Sequence, residues 1–138
     1  MSDTDSRARI VEKWKIFREG DSRRRKKLTG HTFAFCVDDV GAGWEYIHFE
    51  LDGKNVCSCR VSYIGPDVHA FVRTVTELKE KDFLEFAFLD EPGEYDFVFS
   101  RRGDAVYIEL PNSEDGFFLK YDYFVERVME GFHQTYRS

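Results

Sequence analysis

Residues 83–110 constrain the fold most, because bulky apolar side chains alternate with other residues along three short segments. A period of two, rich in aromatic and β-branched residues, is typical of antiparallel strands that bury one face. Turn-forming residues at positions 91–94 and 102–104 separate the segments. Such a meander is stable only when other elements cover its apolar face. The side chains predicted to face inwards are Leu84, Phe86, Phe88, Tyr95, Phe97, Phe99, Val106, Ile108 and Leu110.

A second group of strands is predicted nearer the N-terminus. Residues 33–51 show the same alternation on both sides of a loop, and Asp52-Gly53 follows them as a hairpin signal. An Asp-Gly pair favours a type I′ turn, because both central positions need a positive φ. The return strand covers residues 54–64, and a short apolar segment at 117–119 brings the prediction to six or seven strands.

Three helices are predicted from apolar residues at helical spacing. The first covers residues 6–19, the second begins at Asp67 and ends near residue 81, and the third begins at about Asp122. Together these elements predict an α+β fold. It consists of a single twisted antiparallel sheet of six or seven strands in two meanders, with an N-terminal, a middle and a C-terminal helix.

Charge divides the chain into two predicted parts. Residues 1–30 carry ten Lys/Arg against five Asp/Glu, a net charge of +5, whereas residues 31–138 carry a net charge of −11. We therefore predict a basic N-terminal helical arm (1–30) and a single α+β domain (31–138). The arm either packs on the acidic body, which we favour, or contacts a partner of its own. Its consecutive cations are Arg23, Arg24, Arg25, Lys26 and Lys27.

Nucleic acid is not the expected partner, because cationic side chains alone give affinity for phosphates without specificity. No apolar run approaches the roughly 20 residues of a membrane-spanning helix, and the first residues lack the apolar stretch of a signal peptide. We expect a cytoplasmic protein without a membrane partner, either a monomer or a homodimer.

The sequence contains no motif for a metal, a cofactor or catalysis. Cys36, Cys57 and Cys59 form no C-x-x-C pair, and no second pair completes a zinc site. Cys57 and Cys59 face one side of a predicted strand about 7 Å apart, from a rise of ~3.3 Å per residue, which is poor geometry for a disulfide. The four histidines lie on different predicted elements, and no nucleophile elbow or glycine-rich phosphate loop is present. We therefore expect no metal, no cofactor and no catalytic residue.

Two candidate partner-binding surfaces remain. On the second strand, the side chains opposite the core set are Trp44, Tyr46, His48 and Glu50, and Tyr107 takes a similar position on a later strand. If these side chains are exposed, they form an aromatic patch with polar groups, which is typical of protein-recognition surfaces. The alternative is that the N-terminal helix covers them. The acidic turn suits a basic partner, or is simply a solvated hairpin tip. Its candidates are Asp90, Glu91, Glu94 and Asp96.

The run DEPGEYDFVFSRRGDAVYIEL at residues 90–110, after an amphipathic helix and before a strand and a last helix, resembles a group of small uncharacterised bacterial proteins. This similarity covers residues 44–132 and leaves the basic arm outside. In size, acidity and architecture the chain is also similar to immunity proteins that neutralise polymorphic or contact-dependent toxins. The resemblance supports the fold and supplies no catalytic residues. The acidic body, the candidate aromatic face and the lack of a catalytic motif lead us to predict a non-enzymatic module, most concretely an immunity-type protein, that binds the basic surface of a toxin.

A second class of function stays open at this point. A small-ligand-binding protein or a small enzyme would have a pocket between the sheet and the middle helix. A cavity that held His69 or Cys57 beside a carboxylate would favour this alternative.

Overall fold

The computed structural model describes residues 3–19, 31–41, 44–62, 66–90, 93–111 and 116–135. It confirms an α+β fold with antiparallel strands and with an N-terminal, a middle and a C-terminal helix. None of the described helices combines the length and the apolarity that crossing a bilayer requires. In chain order the elements are α1 (Asp3–Glu19), β1 (Phe33–Gly41), β2 (Trp44–Leu51), β3 (Lys54–Ser62), α2 (Val68–Glu77), β4 (Phe83–Asp90), β5 (Gly93–Arg102), β6 (Ala105–Glu109), β7 (Gly116–Lys120) and α3 (Tyr121–Thr135).

The strands form two antiparallel sheets, so the prediction of a single sheet of six or seven strands is wrong. One sheet has the order β1-β2-β3 and the other β4-β5-β6-β7. β3 and β4 lie side by side, but no backbone hydrogen bond joins them among the described residues. The helix α2, which connects β3 to β4 along the chain, packs on both sheets: the Phe71 ring centroid lies 5.3 Å from that of Phe35 in one sheet and 5.7 Å from that of Phe97 in the other. Both inner faces therefore meet around α2 in one core.

The turns follow the sequence signals. Asp52 has a φ of 54° and Gly53 a φ of 82°, as a type I′ hairpin requires. The Asp52 carboxylate also accepts hydrogen bonds from the Thr32 backbone N–H (2.9 Å) and contacts His31 Nδ1 (2.8 Å). Asp67 caps α2 by accepting a hydrogen bond from the backbone N–H of Ala70 at 2.9 Å.

α1 covers part of the outer face of the four-stranded sheet. Ile10 and Trp14 are buried there against Val98, Ala105 and Tyr107. The helix is therefore packed on the body of the protein. Residues 20–30, which include the five consecutive cations at 23–27, lie outside the described residues, and the domain boundary at residue 30 stays a prediction.

Polar contacts fix α1 in place. Trp14 Nε1 donates a 2.8 Å hydrogen bond to Ser100 Oγ. The Arg9 guanidinium makes two hydrogen bonds to the carboxylate of Glu109, which is buried under the helix. A bidentate pair of this kind sets the position of the helix as well as adding binding energy.

α3 closes the outer edge of β1. An edge strand presents backbone N–H and C=O groups that can pair with another chain. The Tyr123 hydroxyl accepts a hydrogen bond from the Phe33 N–H (2.9 Å), and Arg127 Nε donates one to the Phe33 carbonyl (2.6 Å). Thr135 Oγ1 donates a third to the Val37 carbonyl at 2.8 Å. These side chains form hydrogen bonds with backbone groups of β1 that a further strand would otherwise use.

Gly131 allows α3 to approach β1 closely. A Cβ atom at this position would overlap the backbone carbonyl of Phe35. The smallest residue is therefore required where the helix crosses the strand, although glycine costs a helix interior about 1 kcal/mol relative to alanine.

Candidate functional site

The outer face of the three-stranded sheet is the candidate functional site. Alternation along the strands buries Phe35, Ile47 and Cys59 on the inner face and turns their neighbours outward. In the described part of the chain no helix covers these neighbours, because α1 packs on the other sheet and α2 and α3 pack into the core. We call this surface the open face. It consists of Ala34, Cys36 and Asp38 on β1, Tyr46, His48 and Glu50 on β2, and Asn55, Ser58 and Arg60 on β3.

The strand register decides which side chains of the open face are neighbours. His48 pairs with Cys36 on one side and with Ser58 on the other, and Tyr46 pairs in the same way with Asp38 and Arg60. Side chains directly opposite each other in an antiparallel pair have Cβ atoms about 4.5–5.5 Å apart. The ladder therefore brings groups together that are distant in the sequence.

Cys36, His48 and Glu50 form a compact group in the middle of the open face. The Cys36 thiol donates to Glu50 Oε2 with a Sγ–O distance of 3.5 Å, and His48 Nε2 lies 3.8 Å from the same oxygen. The three ligand-type atoms all lie within 4.8 Å of one another, and all three residues are half-buried. This arrangement places a thiol, an imidazole and a carboxylate within 4.8 Å of one another.

The environment of Cys36 favours the thiol over the thiolate. Burial raises the pKa of the Cys36 thiol above its usual value, and the hydrogen bond to Glu50 and the negative charges of Glu50 and Asp38 raise it further. A thiol is a good nucleophile only as the thiolate. These surroundings therefore disfavour the form of Cys36 that cysteine-based catalysis requires.

Tyr46 is the large exposed ring of this surface. It is 43% exposed, whereas most aromatic side chains of the chain lie in the two apolar clusters. The predicted neighbour Trp44 is in β2, and its backbone pairs with Ser62, but its side chain lies outside the described residues. Of the predicted patch, the structure brings together Tyr46, His48 and Glu50.

Tyr107 lies elsewhere and does not extend this patch. It is only 1% exposed, under α1, and its ring centroid is 4.8 Å from that of Phe118. The reason is that Tyr107 belongs to the four-stranded sheet, whose outer face the N-terminal helix covers. The alternative that this helix covers the second face therefore holds for Tyr107 but not for Tyr46.

The two acidic candidates whose side chains the structure describes lie on the other sheet. Glu94 and Asp96 are exposed on β5, in the four-stranded sheet. Glu91 and the side chain of Asp90 lie outside the described residues. Glu94 and Asp96 therefore belong to a different sheet from Tyr46.

A groove of about 590 Å³ runs between the end of α2, the β5–β6 turn and the start of α3. Its Arg101 is engaged in structure, because the guanidinium donates to the carbonyls of Leu78 (2.6 Å), Lys79 (3.2 Å) and Gly103 (2.8 Å). Arg101 therefore secures the C-terminal end of α2. The groove is lined by Thr76, Lys79, Arg101, Gly103, Asp104, Tyr121, Asp122, Val125 and Glu126.

Neither residue predicted for a pocket lies in this groove. His69 is exposed on α2, 3.7 Å from Asp67, with its ring 4.9 Å from that of Phe132. Cys57 and Cys59 lie on the inner side of β3, with their sulfur atoms 3.7 Å apart. The expected separation of about 7 Å was too long, because it was taken from the rise of the backbone alone. The two side chains point towards each other and bring the sulfur atoms closer.

Sequence reasoning did not connect Cys36 with His48 and Glu50. A partial signal was present: aligning the alternation of residues 33–37 with that of 47–51 in an antiparallel hairpin places Cys36 opposite His48. The loop between the strands and the register shift between Asp39 and Gly41 made that alignment ambiguous.

Comparisons of the chain with protein-family models, with curated proteins and with solved structures found no match. The resemblance to immunity proteins therefore stays a prediction, and function must be argued from the open face.

Proposed function

We propose that this chain is a non-enzymatic protein-binding module of the immunity type, which binds a basic protein surface through the open face. The observation that carries the proposal is the outer face of β1–β3, which no described helix covers and on which Tyr46 is 43% exposed. A large exposed ring surrounded by polar groups is typical of recognition surfaces, in which Tyr is enriched among the residues that dominate affinity.

The charges of the chain favour a basic partner. The open face carries the carboxylates of Asp38 and Glu50 against the guanidinium of Arg60, and the whole chain has a net charge of −6. Complementary charge accelerates the encounter of two proteins and disfavours partners of the same sign. We expect association to slow as the salt concentration rises.

The test is capture from the native host with purified protein, followed by affinity measurement on the captured partner. We expect a basic protein whose binding weakens by roughly 2 kcal/mol, about 30-fold, in Tyr46→Ala. Ile16→Ala is the matched control, because Ile16 is 48% exposed on α1 and away from the open face. Co-expression should then show that the wild-type chain, but not Tyr46→Ala, suppresses toxicity of the partner.

Two results would contradict the proposal. One is the absence of any stable partner. The other is a partner that binds wild type and Tyr46→Ala equally well.

A small-ligand-binding function is the alternative, and the groove beside α3 favours it. Its volume of about 590 Å³ is within the range of small-molecule sites. Val125→Trp should fill the groove and abolish the binding of any fragment that wild type binds in ligand-observed NMR. Partner capture through the open face should be unchanged in the same variant.

A further inference from the structure

We propose that Cys36, His48 and Glu50 form a binding site for a divalent cation of the Zn²⁺ type, with one coordination position open to solvent. The site goes beyond the proposed binding function and does not depend on a protein partner. It is assembled by the strand pairing alone, since Cys36 lies directly opposite His48, and Glu50 follows His48 on the same face of β2.

The distances fit tetrahedral coordination. Zinc–ligand bonds of about 2.0–2.3 Å at tetrahedral angles place the ligand atoms roughly 3.3–3.6 Å apart. The Cys36 sulfur is 3.5 Å from Glu50 Oε2, and His48 Nε2 is 3.8 Å from that oxygen. Small side-chain rotations are enough to bring all three atoms into the coordination sphere, because no atom of the set is more than 4.8 Å from another.

The donor set selects the class of metal. Ca²⁺ and Mg²⁺ prefer oxygen ligands alone, whereas a thiolate with an imidazole and a carboxylate suits Zn²⁺ and its neighbours in the first transition series. Three protein ligands are one fewer than the four of closed structural zinc sites. The fourth position therefore belongs to water or to an incoming ligand.

The surroundings are consistent with a site that can be loaded from solvent. The three residues are half-buried on the open face, so an ion can enter while its ligands remain ordered by the sheet. Asp38 precedes the site on β1 and contributes a negative charge near the Cys36 sulfur. Cys57 and Cys59 lie on the opposite side of the sheet and offer a built-in control, because they are the other thiols of the chain.

The experiment uses the untagged full-length protein, freed of metal, in a calorimetric titration with Zn²⁺ and an absorption titration with Co²⁺. We expect one ion per chain and a thiolate-to-cobalt charge-transfer band. Cys36→Ser should abolish the band, and Cys36→Ser and His48→Gln should each weaken Zn²⁺ binding by at least about 100-fold, beyond the loss seen for supporting residues. Cys57→Ser and His69→Gln should leave both signals unchanged.

Far-ultraviolet circular dichroism of the metal-free variants checks that each one folds. If Cys36→Ser does not fold, Glu50→Gln replaces it, with the exposed Glu94→Gln as its control. Absence of binding, or binding without a thiolate band, would overturn the proposal. Loss of the band in Cys57→Ser instead of Cys36→Ser would assign the metal to the Cys57–Cys59 pair and would also overturn it.

Discussion

The four-stranded sheet carries Val98, Ala105 and Tyr107 on its outer face, whereas the three-stranded sheet carries Asp38, His48 and Ser58 on its own. Both sheets follow the same alternation and share one core on their inner faces. Their outer faces differ because the first set is apolar and lies under α1, whereas the second is polar and no described helix covers it.

This difference shows that the side chains on the outer face of a sheet decide whether a helix packs on that face. Apolar area in contact with water costs about 25 cal/mol per Å², so the outer face of β5–β7 gains from a helix placed on it. The open face has little apolar area to gain from, apart from Tyr46, which is 43% exposed. The Tyr46 ring is therefore accessible on a face that no described helix covers.

Trp14→Ala should have the largest effect, because it removes the anchor that holds α1 on the four-stranded sheet. Trp14 is only 1% exposed, and its hydrogen bond to Ser100 would also be lost. We expect the free energy of unfolding in urea to fall by about 3–5 kcal/mol. Ile16→Ala on the exposed side of the same helix is the control and should change it by less than about 0.5 kcal/mol. Equal effects of the two changes would refute the covered face.

Arg9→Ala should be the next most costly change. It leaves the carboxylate of Glu109 buried without its guanidinium partner, and we expect a loss of about 2–4 kcal/mol. The double variant Arg9→Ala/Glu109→Gln removes the buried charge and should recover a large part of that loss. A double variant no more stable than Arg9→Ala would show that the ion pair does not control the docking of α1.

Gly131→Ala tests how the three-stranded sheet protects its edge without covering its face. The new methyl group would overlap the Phe35 carbonyl, so α3 must move away from β1. We expect a loss of about 1–3 kcal/mol on urea unfolding, although alanine favours a helix. Gln134→Ala, at an exposed position of α3, is the control. A stabilised Gly131→Ala would mean that the helix does not seal this edge.

Tyr46→Ala should change folding stability by no more than about 1 kcal/mol, because its ring is largely in water already. The difference between the losses in free energy of unfolding for Tyr46→Ala and Trp14→Ala therefore measures how differently the outer faces of the two sheets are buried. A loss of 3 kcal/mol or more in Tyr46→Ala would place that ring in a core, and the open face would not exist as described.

The smallest expected effect concerns the β2–β3 hairpin of the open sheet. The hydrogen bonds from the Thr32 N–H and from His31 hold the pKa of Asp52 below its usual range. Because the native pKa is lower than the unfolded one, this contribution is present above about pH 4 and is lost as the pH falls through the native pKa. Asp52→Asn retains a residue that tolerates a positive φ but removes the titrating carboxylate. We expect the free energy of unfolding to depend less on pH in the acid range than it does in wild type. The same pH dependence in the variant and in wild type would contradict the role of Asp52.

The local structure was predictable because it depends on neighbouring residues. Alternation identified the strands, and the Asp52-Gly53 signal fixed the type of turn and, with it, the pairing of β2 with β3. The start of α2 near Asp67 was predictable for the same reason, although its role as the N-cap was not predicted. Each of these features is specified within a few residues of the chain.

The division into two sheets was not predictable, because no local pattern states whether β3 and β4 pair across the helix that joins them. The burial of Tyr107 under α1 was equally unpredictable, because an aromatic residue between Val106 and Ile108 fits the alternation of a strand in either sheet. The Cys36–His48–Glu50 group depends on the register between two strands separated by a loop. Such contacts are set by tertiary packing, and the sequence alone leaves several arrangements open.

The most direct test of the account is hydroxyl-radical footprinting of the isolated protein, which compares the labelling rates of Tyr46 and Tyr107 by mass spectrometry. The two residues are the same chemical type on the outer faces of the two sheets, so their intrinsic reactivities are matched. We predict rapid labelling of Tyr46, at 43% exposure, and strong protection of Tyr107, at 1%. Equal protection of the two tyrosines would contradict the open face, and the proposed function would fall with it.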